Sequence, residues 1–146
     1  MIDITEKDVT ARCAVVEGVV VLKPGVIRLI RNKEVPKGDV LEAAKIAGFN
    51  AAKKTADLLP YCHPLAVESV LLDFSLTRDR VRVHTTVKAH ARTGVEMEAF
   101  TATAVACLTI YDMCKAFDRD AVISDIKLIK KNGGKSGSYE RKLVKR

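Results

Sequence analysis

Apolar positions along this chain recur at two periods, one of strands and one of helices. Cys13–Leu22 (CAVVEGVVVL) is rich in β-branched residues and predicts a strand, with Gly18 marking a bulge or turn. Pro24 opens a short helix through Arg31, because proline fits the first helical turn. Asn32–Gly38 reads as a loop. Asp39 then stands as an N-cap, and Val40, Ala43, Ala44, Ala47, Ala51 and Leu58 follow at near-helical spacing. The small residues on that face predict close packing on a sheet or a second helix, with Gly48 tolerated at a modest cost.

Pro60 and Pro64 end the helical pattern, since a proline fixes its own φ and disfavours helix in the residue before it. Val70, Leu72, Phe74 and Leu76 alternate with more polar residues, Thr77–Arg80 turns, and Val81, Val83, Thr85 and Val87 alternate again. This is a hairpin with one apolar face. Its other face carries Arg82, His84, Thr86, Lys88 and His90, polar and open to water. His90–Gly94 reads as a loop, Val95–Phe117 as a long helix rich in Ala and Thr, and Ala121–Lys131 as a last strand. A Gly-rich stretch, Asn132–Ser138, precedes a charged tail, Tyr139–Arg146. Strand, helix, strand, strand, helix, strand predicts an α+β, ferredoxin-like βαββαβ sandwich, an antiparallel sheet with helices on one face.

Composition narrows the class. With 146 residues, 48% apolar and 29% charged, the chain is expected to form one domain, 1–146, with flexible ends at 1–12 and 138–146. No apolar run reaches the roughly 18–20 residues of a membrane span. Met1 is followed by Asp3, Glu6 and Lys7, a start that predicts no export signal and a cytoplasmic location. The four cysteines contain no C-x-x-C pair and are expected to be reduced thiols. A formal charge of +7 suits an anionic partner, while only 5% aromatic residues argues against a single-strand RNA surface.

Three stretches hold candidate chemistry. In Leu58–Leu65 (LLPYCHPL) the prolines bracket Cys62 and His63, a thiol beside an imidazole on a rigid corner. The plainer reading is a connection with a buried Cys. In Thr93–Thr101 (TGVEMEAFT), Glu96 and Glu98 flank Met97 and would also suit a helix N-terminus for its dipole alone. In Tyr111–Lys115 (YDMCK), Asp112 and Lys115 stand at i, i+3, an ordinary surface pair or, in a partly dry cleft, an acid–base pair. Cys107, Tyr111 and Cys114 fall on one helical stripe and read as core. Sixteen residues separate Glu96 from Asp112, roughly 24 Å at helical rise. One chain with a continuous helix cannot bring both to one small site, so either the helix starts late or the site is assembled between subunits, and the polar open sheet face favours the second. Gly133–Gly137 (GGKSG) lacks the Gly that a phosphate-binding P-loop needs at the place of Ile129. Lys131 and Lys135 can still meet phosphate from that permissive backbone.

Taken together, KGDVLEAAKIAGFNAAKKTADLLPYCHPL (37–65), TGVEMEAFTA (93–102), LTIYDMCKAFD (108–118), KKNGGKSG (130–137) and the opening MIDITEKDVTARCA resemble the cyclic pyranopterin monophosphate synthase family. The resemblance covers nearly the whole chain. Tyr61 stands where the family usually has an aliphatic residue, and the tail after Gly137 differs. The resemblance implies a lyase of molybdenum cofactor biosynthesis. It would convert a cyclised dihydro-GTP carrying a triphosphate to the cyclic pyranopterin monophosphate and release pyrophosphate. No redox cofactor is implied, only Mg2+ accompanying the triphosphate, and no metal ligands. It further implies a homohexamer, a trimer of dimers with intersubunit sites, and neither nucleic acid nor membrane as partner. Carried over by motif, Asp112 and Lys115 form the catalytic pair. Tyr61, Cys62, His63, Met97 and Glu98 line the substrate site, and Lys37, Glu96 and Lys131 match functional positions. Two other classes stand beside this one: a non-catalytic basic module that binds nucleotide or RNA, and a metal-dependent phosphatase built on His63, Glu98 and Asp112.

Overall fold

A computed structural model describes residues 1–142. Five strands form one antiparallel sheet in the order β2-β3-β1-β4-β5, the first four in the arrangement of a ferredoxin-like sandwich. The elements follow as β1 (Thr10–Val21), α1 (Pro24–Asn32), α2 (Val40–Lys53), α3 (Thr55–Leu58), β2 (Ser69–Leu76), β3 (Arg80–Ala91), α4 (Glu96–Cys114), β4 (Val122–Asn132) and β5 (Tyr139–Glu140). Among the described residues no helix is long and apolar enough to cross a membrane.

Helices α2 and α4 pack against each other and against one face of the sheet. Their small residues make this possible. Ala44, Gly48, Ala51 and Ala52 of α2 are buried, as are Ala99, Ala102 and Ala106 of α4. A Cβ at Gly48 would stand 2.6 Å from Leu72 Cδ2 and 3.2 Å from the Ala102 carbonyl oxygen, so this glycine is required by the approach and not merely tolerated. Gly18 serves the same end. Its absent Cβ would lie 2.7 Å from Thr103 Cγ2 and 2.9 Å from Cys107 Sγ, letting α4 settle onto β1. The register of β1 on β4 also shifts between Glu17 and Val19. The α2 cap forms as the sequence predicts, with the Glu42 N–H donating to Asp39 Oδ1 at 3.1 Å.

Among the described residues the opposite face has no helix and is polar. Glu17 on β1 is nevertheless buried, ringed by His84 Nε2 at 2.9 Å, Lys127 Nζ at 3.3 Å and Arg82 at 3.4 Å. His90 pairs with Glu68 at 3.0 Å. Both histidines therefore contact carboxylates of the polar face.

Several boundaries differ from the sequence reading. β3 runs on to Ala91, through residues read as the start of a loop, because β1 begins at Thr10 and pairs with it along its whole length. Thr10–Arg12, expected among the flexible ends, is thus sheet. Tyr139–Glu140, expected in the tail, pairs with Lys130–Lys131 as β5. The last part of that tail, residues 143–146, lies outside the described residues. Of the stripe read as core, Cys107 and Cys114 are fully buried while Tyr111 is only partly so, and all four cysteines are free thiols.

Candidate active site

Helix α4 is unbroken from Glu96 to Cys114, so it carries two candidate clusters, one at each end. At its C-terminal end Asp112 is more than half exposed and clamped by two ammonium groups. Lys115 Nζ lies 2.6 Å from Oδ1, one helical turn on. Lys37 Nζ lies 2.8 Å from Oδ2 and also donates to the Asp112 carbonyl oxygen at 3.0 Å. That second contact places a cation on the unsatisfied carbonyls at the negative end of the helix. Lys115 first and Lys37 second hold the Asp112 carboxyl down to about 2, and Asp112 pushes the Lys115 ammonium up. Of the two readings open for this pair in the sequence, a single copy shows the surface ion pair. On the open chain both groups are driven apart, because the pair is solvated and fully ion-paired.

At the N-terminal end of α4 lie two adjoining cavities. One, of about 420 Å³, is lined by Tyr61, Cys62, His63, Met97 and Glu98 together with Ile2 and Ile4. The proline-bracketed corner puts its side chains there. α3 ends at Leu58, and the Cys62 N–H closes a turn on the Leu59 carbonyl at 3.0 Å. Tyr61 is 78% exposed at the mouth. Glu98 is only 3% exposed, and burial pushes its carboxyl up. Burial, with Glu98 nearby, also pushes the Cys62 thiol up. Cys62 is therefore a protonated wall of the cavity at neutral pH and no thiolate nucleophile.

The second cavity, of about 840 Å³, shares Lys7, Thr93, Gly94 and Met97 with the first. Lys7, Arg12, Arg92, Lys131 and Lys135 line it, against Asp8 and Glu96. The wall is therefore cationic and suited to an anion. The hairpin after β4 is shaped by Gly133 and Gly134, at φ of +102° and +76°. A side chain at Gly133 would strike the Ala11 carbonyl, and one at Gly134 the Arg12 guanidinium. Arg12 is fixed there by donating to the Ala91 carbonyl at 3.2 Å. The Thr10 hydroxyl, also in this wall, is buried without a hydrogen-bond partner.

The residues singled out in the sequence thus fall into two groups. Tyr61, Cys62, His63, Met97 and Glu98 converge, and Glu96 with Lys131 adjoins them. Lys37, Asp112 and Lys115 converge elsewhere. Fourteen residues of helix separate Glu98 from Asp112, roughly 21 Å, so His63, Glu98 and Asp112 of one chain do not surround one metal ion. Neither Lys37 nor Lys131 is a free cation. Lys131 Nζ lies 3.0 Å from Glu96 Oε1, an acid stationed at the positive end of α4. Lys7, Arg12 and Arg92 were not legible as site residues. Only the pairing of β1 with β3, which sets Arg12 opposite Ala89 and within reach of the Ala91 carbonyl, reveals Arg12 in this wall.

A model of the MoaC family matches residues 1–134. A protein of Streptomyces avermitilis named cyclic pyranopterin monophosphate synthase is 53% identical over 141 residues, which cover 97% of this chain and 83% of that one. Proteins of the same name from Parvibaculum lavamentivorans and a Thermoanaerobacter species are each 49% identical. They cover 97% and 98% of this chain, and 90% and 92% of their own lengths.

Proposed function

The chain belongs to the MoaC family, and from that premise we propose that it is a cyclic pyranopterin monophosphate synthase, a lyase of molybdenum cofactor biosynthesis. Its substrate is the cyclised dihydro-GTP intermediate, which it rearranges to the cyclic pyranopterin monophosphate with release of pyrophosphate. The observation that carries this reading is Asp112 held between Lys115 and Lys37, ammonium groups from segments far apart in the chain.

Opening and reclosing the purine-derived rings moves protons on and off nitrogen and carbon, which calls for an acid and a base. Lys115 and Asp112 are the pair assigned to this work. Cyclic phosphate formation needs the departing pyrophosphate's charge neutralised, the task of Lys37 and of the Lys- and Arg-lined cavity with Lys131. The cavity of Tyr61–His63, Met97 and Glu98 takes the ring system. Glu98 is buried, so it can accept from ring N–H groups as a carboxylate or donate as an acid. Lys131 orients Glu96 for the same ring's amino group. Turnover is expected without a redox cofactor, with Mg2+ serving only to screen the triphosphate, and in the cytoplasm, where the GTP-derived substrate arises.

Both ends of α4 must reach one substrate, and one chain holds them roughly 21 Å apart. A second copy therefore supplies the Asp112 end to the His63 end, in a homohexamer built as a trimer of dimers. The exposure of Asp112 and Lys115 leaves them open to such a neighbour. The test is incubation of the purified protein with the cyclised dihydro-GTP intermediate while pyrophosphate and the fluorescent oxidised pterin are followed. Equimolar release of both supports the reading. Tight, salt-sensitive binding with no release overturns it in favour of the binding module.

A further inference from the structure

One buried carboxylate ties the Asp112 end of α4 to the start of α1. Asp118 is 3% exposed, and its own N–H donates to the Cys114 carbonyl at 3.2 Å, just past the helix end. Its Oδ2 accepts from the Lys23 N–H at 2.8 Å. Its Oδ1 accepts from the Asp120 N–H at 3.2 Å and lies 3.4 Å from Lys23 Nζ. Burial pushes this carboxyl up, but the Lys23 contacts more than reverse that, so it stays ionised.

Lys23 is the residue on which α1 starts. Its carbonyl takes the Val26 and Ile27 N–H groups at 2.9 and 3.2 Å, and no side chain caps that helix. Asp118 thus joins Pro24 and the Leu22 N–H, which donates to the Asp79 carbonyl at 2.8 Å, in fixing where α1 begins, and it alone of these ties that start to the end of α4. The nine-residue helix leads to the loop carrying Lys37, itself held by buried Val35 and by a 2.9 Å Lys33–Asp39 ion pair. Lys37 then returns to Asp112. The path closes on itself: α4 end, Asp118, Lys23, α1, Lys37, Asp112. Val26, Ile27 and Ile30 dock α1 on the core, but apolar burial is not directional and leaves the axial position of a short helix loosely set. The hydrogen bond from Lys23 supplies that position.

We propose that Asp118 is a positioning residue for the Lys37–Asp112–Lys115 cluster, setting the distance at which Lys37 meets Asp112 by clamping the start of α1 to the end of α4. The role rests on the proposal that this cluster takes part in the reaction, and the test separates the two. Asp118→Ala, Asp118→Asn, Lys37→Ala and the Asp118→Ala/Lys37→Ala double variant are made in the full chain. Turnover of the cyclised dihydro-GTP is measured, and the Asp112 carboxyl is titrated by carbon-13 NMR. Asp118→Ala should lose turnover on the order of 10- to 100-fold, the cost of a misplaced group. The double variant should be no slower than Lys37→Ala alone. The Asp112 midpoint should climb from about 2 in Asp118→Ala, and likewise in Lys37→Ala, with Lys115 still holding it below 3.8. Asp118→Asn, whose amide oxygen still accepts from Lys23, should recover most of both. Should Asp118→Ala not fold, Asp118→Ser is read in its place. Multiplying losses in the double variant, or an Asp112 midpoint unmoved in a folded Asp118 variant, overturns the proposal. Full activity in Asp112→Asn would instead remove the cluster from the chemistry and leave the titration result standing.

Discussion

Replacing Asp112 by asparagine keeps the side chain's shape and removes its charge. In the structure two ammonium groups sit on separate oxygens, Lys115 at 2.6 Å and Lys37 at 2.8 Å. An amide can accept from one of them but must turn its NH2 toward the other. One lysine therefore loses its anchor, and two like charges are left close together. With its carboxyl held down to about 2 by the two lysines, Asp112 of a single copy is an anion at pH 7. On the proposed function this anion holds Lys115 and Lys37 charged and in place, and its basicity rises when a neighbouring copy dries the pair. Losing both functions should reduce turnover by about 10²- to 10⁴-fold, the usual weight of a positioned acid or base. The fold should survive, since an exposed surface pair contributes little stability. The assay is pyrophosphate release from the cyclised dihydro-GTP, beside sedimentation to establish the assembly. An Asp112→Asn protein within threefold of the parent, with its oligomer intact, would refute the reasoning.

Glu98→Gln should raise the melting temperature at pH 7 while abolishing turnover. The sign follows from burial: the folded carboxyl lies above its ordinary 4.5, so its ionisation costs stability as pH rises, and the gain should vanish below pH 4.5. A gain that persists in acid, or a loss at neutrality, would contradict this. Gly18→Ala should destabilise by about 1–3 kcal/mol in urea unfolding. Its new methyl would meet Thr103 and Cys107, and Thr103 is pinned by bonds to Thr85 and the Ala99 carbonyl, both at 2.8 Å. An alanine variant as stable as the parent would show that α4 does not rest on β1 so closely. Lys131→Met releases Glu96 and removes one cation from the larger cavity, and kcat/KM should fall on the order of 10- to 100-fold. An unchanged value would exclude the pair from substrate binding.

Much of the fold was legible because the period changes cleanly along the chain. Val70–Leu76 and Val81–Val87 could only be a hairpin, and Asp39 announces its helix by a cap that forms. What stayed hidden was set by pairing over distance. The length of β3 depends on Thr10–Arg12 lying opposite Ala89–Ala91, which no local pattern encodes. The two-residue β5 exists only because Lys130–Lys131 offer it an edge. The linings of the two cavities were legible by motif at Tyr61–His63 and Glu96–Glu98, and the helical rise from Glu96 already kept Asp112 apart from them. The partners of the lysines were not. Lys37 reaches Asp112 from 75 positions away, and Lys131 meets Glu96 across the end of the sheet. A reading by residue type leaves both as free cations. Buried Asp118 stayed silent for the same reason, since nothing in DRD tells a clamp from an ordinary loop.

The claim on which the account turns is that each working site draws on two copies of the chain. Subunit exchange tests it directly. Asp112→Asn and His63→Ala proteins, each inactive alone, are mixed in equal amounts, dissociated together and reassembled. If Asp112 of one copy serves His63 of another, mixed dimers carry one doubly damaged site and one intact site, and activity should return to about a quarter of the parent. Activity that stays at the level of the two parents, with exchange verified by mass spectrometry, would place the whole site within one chain and contradict the account.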